Sequence, residues 1–237
     1  MNDGLFHFKR FSVAHTRSSM KVGVDAVLIG AWADCEGGSI LDVGTGCGVI
    51  ALMMAQRNPA AIVHAIDVDS ASVEEAACNF SQSRWGRRLS ACKMQFSELT
   101  SGDFRFDRIV SNPPYFDSGV RDFTTSRNVA RHQGELSPSV LLRGGGGLLT
   151  DSGKLAMIVP SEFYDRLGME AEEVGLSVER ACFVKASPKK QAKRVMMEFC
   201  LGTGSGGLVT ETLTMFCSDG TPTDEYRLLE SEFYLKF

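Results

Sequence analysis

The residues of this chain best suited to chemistry form the short motif Asn112-Pro113-Pro114-Tyr115. It follows an apolar run, Phe106 to Ser111, that is typical of a buried strand. The two prolines fix φ and remove two backbone donors, which leaves carbonyl oxygens free as acceptors. We expect the Asn112 side-chain oxygen and the Pro113 carbonyl to accept both N–H bonds of a planar amino group. Because the lone pair of such a group is delocalised, acceptors that favour a pyramidal nitrogen would activate it toward an electrophilic methyl group.

Tyr115 supplies the aromatic part of this motif, and Phe116 follows it. Aromatic side chains stack on extruded planar bases, so Tyr115 is predicted to hold the planar group against the acceptors. The predicted catalytic residues are therefore Asn112, Pro113 and Tyr115. This chemistry requires neither a covalent enzyme intermediate nor a metal ion. The alternative interpretation is a proline-rich turn with no catalytic role. A second motif elsewhere in the chain that binds a cofactor would argue against this alternative.

The second motif is a glycine-rich loop, Asp42-Val-Gly-Thr-Gly-Cys-Gly48, between a predicted strand and a predicted helix. Glycines let the backbone approach a bound nucleoside closely. A dinucleotide-binding loop needs its third glycine where Val49 stands, so the spacing disfavours NAD. The carboxylate of Asp42 suits the ammonium and sulfonium groups of S-adenosylmethionine better than a pyrophosphate. If the glycines are considered without Asp42, the alternative interpretation is a tight structural bend that binds no cofactor.

Asp67 ends the next apolar run, 19 residues after Gly48, where a carboxylate can accept hydrogen bonds from both ribose hydroxyls. Ser97 or Glu98, after the third strand, could meet the adenine edge or could be exposed loop residues. The predicted cofactor-binding residues are Asp42, Gly44, Thr45, Gly46, Gly48 and Asp67.

The elements that position these motifs alternate between apolar runs and helical segments, which predicts an α/β, doubly wound, mostly parallel sheet. Further strands are predicted at 90–96, 106–111, 154–159, 177–184 and 195–201, and further helices at 136–149 and 162–173. The linker 185–194 has no room for a crossover helix, so the last two of these strands should form an antiparallel hairpin. Four glycines, 144–147, conflict with the helix at 136–149, which we expect to end near Arg143.

Together, the two motifs resemble those of class I methyltransferases that act on amino groups of adenine, guanine or protein glutamine. Two further segments, 8–32 and 225–237, resemble the ends of the bacterial tRNA1(Val) adenine-37 N6-methyltransferase family. The resemblance implies a Rossmann-like fold, S-adenosylmethionine as methyl donor, and tRNA as substrate. From the length and composition we expect one domain over 1–237, with 1–36 as a segment that covers substrate and cofactor. Two features depart from the family pattern, namely Val24, where the pattern has threonine, and the four glycines.

Two basic segments are candidates for contact with RNA. The N-terminal segment mixes Phe6, Phe8 and Phe11 with basic residues, a combination that suits unstacked bases and phosphates but equally suits packing on the core. The densest basic cluster comprises Lys189, Lys190, Lys193 and Arg194, on the turn of the predicted hairpin. Either a solvated turn or a contact with the phosphate backbone explains it. We assign no role to 127–132.

Composition narrows the class of protein. The 237 residues are 43% hydrophobic and carry a net charge of −4, which disfavours a general nucleic-acid coat but not a local basic patch. No apolar run is long enough to span a membrane. Seven scattered cysteines without metal-ligand spacing predict reduced, mostly buried thiols in the cytoplasm, and no metal. We expect a monomer.

Two other functions stay open at this point. One is methylation of a glutamine in a translation release factor, whose family shares the Asn-Pro-Pro-Tyr motif but has an extra N-terminal domain and a Pro-Arg-x-Glu-Thr element, neither of which is found here. The other is an RNA-binding relative without catalysis, against which Asp42, Asp67 and Asn112 argue, since binding alone does not need all three.

Overall fold

The computed structural model describes residues 4–18, 20–99, 104–114, 136–204 and 206–236. Tyr115, Phe116 and the segment 127–132 lie outside these ranges. The helices are α1 (Val24–Trp32), α2 (Val49–Arg57), α3 (Ser70–Gln82), α4 (Pro138–Gly145), α5 (Tyr164–Glu173) and α6 (Asp224–Glu230). The strands are β1 (Leu5–His7), β2 (Ser12–Ala14), β3 (Ser39–Val43), β4 (Ile62–Asp67), β5 (Leu89–Lys93), β6 (Phe106–Ser111), β7 (Leu149–Pro160), β8 (Leu176–Lys185), β9 (Arg194–Leu201) and β10 (Val209–Thr214).

A central sheet of eight strands has the order β10-β8-β9-β7-β6-β3-β4-β5. All pairs are parallel except those of β9, which runs antiparallel to both β7 and β8. This confirms the predicted doubly wound sheet and its antiparallel hairpin. Strand β10, parallel to β8 at the edge, is an addition that the sequence did not predict.

Apolar side chains cover both faces of the sheet. Along β7, Ile158 packs in a cluster with α1, α2 and α3, whereas the adjacent Met157 packs with α4 and α5. This alternation follows from the period of two in a strand, in which successive side chains point to opposite faces. The result is a layer of helices on each side of the sheet, as expected for parallel strands.

The glycine run lies partly inside a helix, because α4 continues to Gly145 rather than ending near Arg143, and a short 3-10 turn follows. A Cβ at Gly144 would lie 2.7 Å from Phe96, and one at Gly145 would lie 2.2 Å from Leu155. Both glycines therefore let the helix approach its neighbours closely, which offsets their poor helix propensity. Strand β7 then begins at Leu149, where the sequence predicted the end of a helix.

The two terminal segments contact each other. Phe8 forms a β-bridge with Tyr234, and the backbone N–H of Lys9 donates to the carbonyl of Phe233. Phe8 and Phe11 are buried and stacked at 4.6 Å between ring centroids. For these two aromatic residues the structure favours packing on the core over stacking with RNA bases.

The cysteines are more exposed than predicted. Cys47 and Cys182 are buried, but Cys78 and Cys92 are exposed and the other three are intermediate. The expectation of mostly buried thiols was therefore wrong, because Cys78 lies on the outer face of α3 and Cys92 on the edge strand β5. Across the described ranges, every helix is too short or too polar to cross a bilayer.

Candidate active site

The two sequence motifs meet at the carboxyl edge of the sheet. Strand β3 lies between β4 and β6, and Val43 at its end is in register with Ile66 and Ser111. The Ser111 hydroxyl donates to the Val43 carbonyl at 2.7 Å and joins the ends of β3 and β6. The sheet order therefore places Asp67 and Asn112 on opposite sides of the glycine loop, where open α/β sheets bind ligands.

Three glycines of the loop have backbone conformations that favour glycine. The φ angles of Gly44, Gly46 and Gly48 are +72°, +54° and +85°. A Cβ at Gly48 would also lie 2.5 Å from the Phe80 ring, whereas one at Gly46 would meet no atom within 4 Å. Gly48 is thus required by packing beneath the loop, and Gly46 leaves open space above it.

Asp42 lies fully buried beneath the loop. Its Oδ2 accepts hydrogen bonds from the Thr45 hydroxyl at 2.6 Å and from the Ala51 backbone N–H at 3.1 Å. Burial raises the pKa of Asp42 to about 7, although the hydrogen bonds from Thr45 and Ala51 oppose this rise. These contacts hold the loop against the first turn of α2. Oδ1 is buried and has no hydrogen-bond partner among the described residues.

Asp67 supports the loop from its other side. One carboxylate oxygen accepts the Gly46 N–H and the other accepts the Asp69 N–H, both at 2.9 Å. Burial raises the pKa of Asp67, and the two N–H bonds oppose this rise. Asp69 caps the start of α3 by accepting hydrogen bonds from the backbone N–H groups of Ala71 and Ser72.

Asp67 also lines a small apolar pocket beside the loop. The pocket is formed by Val43, Gly44, Ile66, Asp67, Val68, Met94, Gln95, Phe96 and Leu136. The sequence pointed to Ser97 or Glu98 for the adenine edge, but the described wall uses the residues just before them. The pocket therefore places apolar side chains next to the Asp67 carboxylate.

A larger cavity of about 240 Å³ lies on the other side of the loop. Asn112 contributes to its wall, and Gly44 and Thr45 contribute from the loop. Within the described residues the buried Oδ1 of Asn112 accepts no hydrogen bond. Pro113 is buried directly after it. An unpaired amide oxygen at a cavity wall is an acceptor available to a ligand, because leaving it without a donor costs free energy.

Much of the remaining wall of the cavity comes from the segment 20–26, which includes Lys21, Val24 and Asp25. The end of the glycine loop and the start of α2 supply the rest through Cys47, Val49 and Ile50. Val24, where the family pattern suggested threonine, is 46% exposed and presents methyl groups instead of a hydroxyl. The residue that departs from the family pattern therefore lies in the wall of the same cavity as Asn112.

Two polar residues of α3 hold this N-terminal wall in place, and the sequence interpretation missed both. Glu75 accepts backbone N–H bonds from Thr16, Arg17 and Ser18 at 2.8 to 3.0 Å. Asn79 bonds Ala14 through both its amide oxygen and its amide nitrogen, and it also donates to the carbonyl of Cys47 in the glycine loop. Both side chains are buried. Their spacing of four residues, each directly before one of the apolar residues Ala76 and Phe80, is the signal that would have revealed them.

These residues fit the requirements of S-adenosylmethionine. The glycine loop leaves open space above Gly46, an apolar pocket lies beside Asp67, and Asn112 lines the larger cavity. Asp25 is the carboxylate that lines the larger cavity, whereas Asp42 acts on the loop from below.

Comparison with known proteins is consistent with this arrangement. Residues 20–163 match the family described as "Methyltransferase small domain". A Trichodesmium erythraeum protein named tRNA1(Val) (adenine(37)-N6)-methyltransferase is 39% identical, with 100% of both chains covered. A Bacteroides fragilis protein of the same name is 36% identical, again with 100% of both chains covered. The crystal structure of a predicted O-methyltransferase from Agrobacterium tumefaciens has a TM-score of 0.68 at 18% identity, covering 88% of this chain and 96% of that one, which shows the shared fold.

Proposed function

This chain belongs to the tRNA1(Val) (adenine(37)-N6)-methyltransferase family, and on that premise we propose how its residues methylate adenine 37 of tRNA1(Val) at N6. The chain is an S-adenosylmethionine-dependent methyltransferase with the class I fold. The observation that supports the proposed site most directly is that Asn112 lines the larger cavity and that its buried Oδ1 has no hydrogen-bond partner among the described residues.

Asn112 and Pro113 act on the amino nitrogen of the adenine. Their oxygens accept its two N–H bonds, which favours a pyramidal nitrogen and points the lone pair at the methyl carbon. Tyr115 stacks on the adenine ring and holds it in plane with these acceptors. The new N–C bond forms as the bond between the methyl carbon and the sulfonium sulfur breaks, and the electron pair of that bond stays on sulfur, which becomes a neutral thioether. The methylated nitrogen is then positively charged, so one N–H proton must leave. Because an amide is not a base at neutral pH, that proton passes to water rather than to Asn112.

S-adenosylmethionine supplies the electrophilic methyl group. On the protein side, Asp67 accepts the ribose hydroxyls, Gly44, Thr45, Gly46 and Gly48 provide a close backbone surface, and Asp42 keeps that surface in shape. These assignments are supported by the hydrogen bonds that link Asp42 to Thr45 and Asp67 to Gly46. No residue in this scheme needs a metal ion.

Because the substrate is a tRNA, the enzyme works in the cytoplasm. Residues 1–237 form a single methyltransferase domain. In this proposal the segment 1–36 covers both substrate and cofactor, and the protein is a monomer. The contacts of Glu75 with 16–18 and the place of 20–26 in the cavity wall support the covering role.

The direct test is methyl transfer to valine tRNA. Purified protein is incubated with labelled S-adenosylmethionine and total tRNA from a strain without the activity, and N6-methyladenosine at position 37 of valine tRNA is measured. Label at that nucleoside, lost in Asn112→Ala, is the expected result. If the protein binds S-adenosylmethionine but no label enters tRNA, the assignment of tRNA as the substrate is overturned. Transfer of the label to a glutamine of a release factor would support the competing function. Absence of S-adenosylmethionine binding would favour a relative without catalysis.

A further inference from the structure

The turn between β8 and β9 lies at the same edge of the sheet as Asn112. Strand β8 runs parallel to β7 through their shared antiparallel partner β9, so β8 ends and β9 begins at the carboxyl edge. Pro160, at the end of β7, is in register with Arg194. Adjacent strands are about 4.8 Å apart, so the turn is on the order of 10–15 Å from Asn112 along this edge.

Four lysines make this turn positively charged. Lys189, Lys190 and Lys193 are exposed, and Lys185 is partly exposed at the end of β8. Among the described residues none of the four has a carboxylate oxygen within 4.0 Å of its ammonium group. In a chain with a net charge of −4, this turn is a local concentration of positive charge without internal neutralisation.

The backbone of the turn is held firmly at both sides. The Ser161 hydroxyl donates to the carbonyl of Ala192 at 2.7 Å, and the Ser161 N–H donates to the carbonyl of Lys193 at 3.2 Å. On the other side, the N–H groups of Met215 and Phe216 donate to the carbonyls of Lys185 and Ala186. The lysines therefore extend from a fixed platform, so only their side chains must be ordered when a ligand binds.

The ligand that fits is the phosphate backbone of an RNA. Its target base must enter the cavity at Asn112, so neighbouring nucleotides cross the carboxyl edge. Phosphates in one strand follow each other by about 3.4 Å along the axis of a nucleic-acid helix, which puts the turn within a few nucleotides of the base. Lysine ammonium groups bind phosphates as point charges and read no sequence, which suits positioning rather than choice of base.

We infer that the β8–β9 turn, through Lys185, Lys189, Lys190 and Lys193, binds the phosphate backbone of the tRNA beside the methylated nucleotide. This inference rests on the proposed function for the identity of the RNA. It adds to that function the surface that holds the substrate.

The experiment compares two variants with the same change of charge. K189E/K190E alters the β8–β9 turn. R84E/R87E alters two exposed arginines in or next to the short turn Gly86–Arg88. This turn precedes β5, the outermost strand on the other side of the sheet. Binding of an unmodified valine tRNA transcript is measured by filter retention over a range of salt concentrations. Binding of S-adenosylmethionine is measured by calorimetry as a check on folding.

K189E/K190E is expected to weaken tRNA binding about tenfold or more and to reduce the slope of log affinity against log salt by about 1 to 2. R84E/R87E is expected to stay within about twofold of the unaltered protein. Equal effects of the two variants, or none from K189E/K190E, would overturn the inference. Because binding is measured without turnover, the two proposals can fail separately. If K189E/K190E weakens binding but the unaltered protein does not methylate the tRNA, only the proposed function is contradicted. If the unaltered protein methylates the tRNA but K189E/K190E binds it with unchanged affinity, only the role of the turn is contradicted.

Discussion

The Nε of Arg194 lies 2.8 Å from the Oδ2 of Asp25. Asp25 belongs to the first turn of α1 and lines the larger cavity, and Arg194 begins β9 at the base of the β8–β9 turn. One ion pair therefore connects the wall of the cofactor cavity to the surface inferred to hold RNA.

This ion pair should contribute measurably to stability. Its side chains are 33% and 26% exposed, so solvent screens it less than a fully exposed pair. A double-mutant cycle with Asp25→Asn and Arg194→Gln is expected to give a coupling energy of about 1 kcal/mol in urea unfolding. The control is the i,i+4 pair Arg166–Glu170 within one helix, whose arginine is 49% exposed, with an expected value of about 0.3–0.5 kcal/mol. Equal coupling in the two cycles would contradict the prediction.

Asn112→Ala should reduce turnover by about 10²–10³ because it removes one acceptor from the transition state. The affinity for S-adenosylmethionine, measured by calorimetry, should stay within about twofold since the amide contacts the substrate side of the cavity. Asn112→Asp keeps an acceptor oxygen and should lose less activity than Asn112→Ala. An undiminished rate in Asn112→Ala would remove this residue from the mechanism.

Gly48→Ala should cost more stability than Gly220→Ala, although both glycines have φ of +85°. The backbone strain of alanine in this region is about 1–2 kcal/mol at either site. Only Gly48 adds a Cβ contact of 2.5 Å with Phe80, whereas a Cβ at Gly220 meets nothing within 4 Å. Urea unfolding should therefore show the larger loss for Gly48→Ala, together with weakened cofactor binding that Gly220→Ala lacks. Equal losses would show that the Phe80 ring moves away at little cost.

Glu230 should make the protein less stable as the pH rises from 4.5 to about 8. Its carboxyl is fully buried without a hydrogen-bond partner among the described residues, and burial raises its pKa to about 8 from 4.5. Below pH 4.5 both folded and unfolded states are protonated. As the pH rises, the unfolded chain releases this proton first, so unfolding becomes more favourable until the folded pKa is passed.

The Glu230→Gln variant lacks this titration. Its free energy of unfolding, relative to the unaltered protein, should increase between pH 4.5 and 8 by an amount on the order of a few kcal/mol. Glu232→Gln, at a side chain that is 60% exposed, is the control and should show no such trend. Parallel curves for Glu230→Gln and the unaltered protein would mean that the carboxyl is ionised when folded.

The glycine run of α4 gives opposite expectations for two neighbouring positions. Gly145→Ala should destabilise the protein, because its Cβ would lie 2.2 Å from Leu155. Gly146→Ala places a Cβ 3.7 Å from Leu176, in helical backbone, and should be neutral or stabilising by up to about 1 kcal/mol. Thermal unfolding of both variants checks the difference in sign. Destabilisation of the same size in both would show that packing is not the reason for the glycines.

The elements that determine the fold could be predicted from the sequence because their signals are local. Strand Phe106–Ser111 has the bounds that the sequence indicated, since its apolar run ends at the polar Asn112. The helix that was expected after the glycine loop is present as Val49–Arg57. Strand β10 was not predicted, because Val209–Thr214 alternates threonine with other residues and forms a strand only by pairing with β8. Such edge pairing is a tertiary effect.

The candidate site was predictable in its motifs but not in its supports. Glycine spacing and the Asn-Pro-Pro step are visible as letters, whereas the contacts of Glu75 and Asn79 with residues 14–18 join parts of the chain about 60 positions apart. The role of Asp42 is another example. Its charge suggested contact with a cation, and its hydrogen bonds show that it holds Thr45 and the start of α2. The two roles differ because Asp42 is buried beneath the loop, and no sequence motif encodes burial.

The bridge between Phe8 and Tyr234 has a consequence for the order of folding. It joins two residues that are separated by most of the described chain, whereas neighbouring strands such as β3 and β4 lie close together in sequence. Because closing a longer loop costs more chain entropy, we expect this contact to form after the central sheet has assembled. The two terminal segments therefore dock on each other late in folding, and loosening one of them should loosen the other.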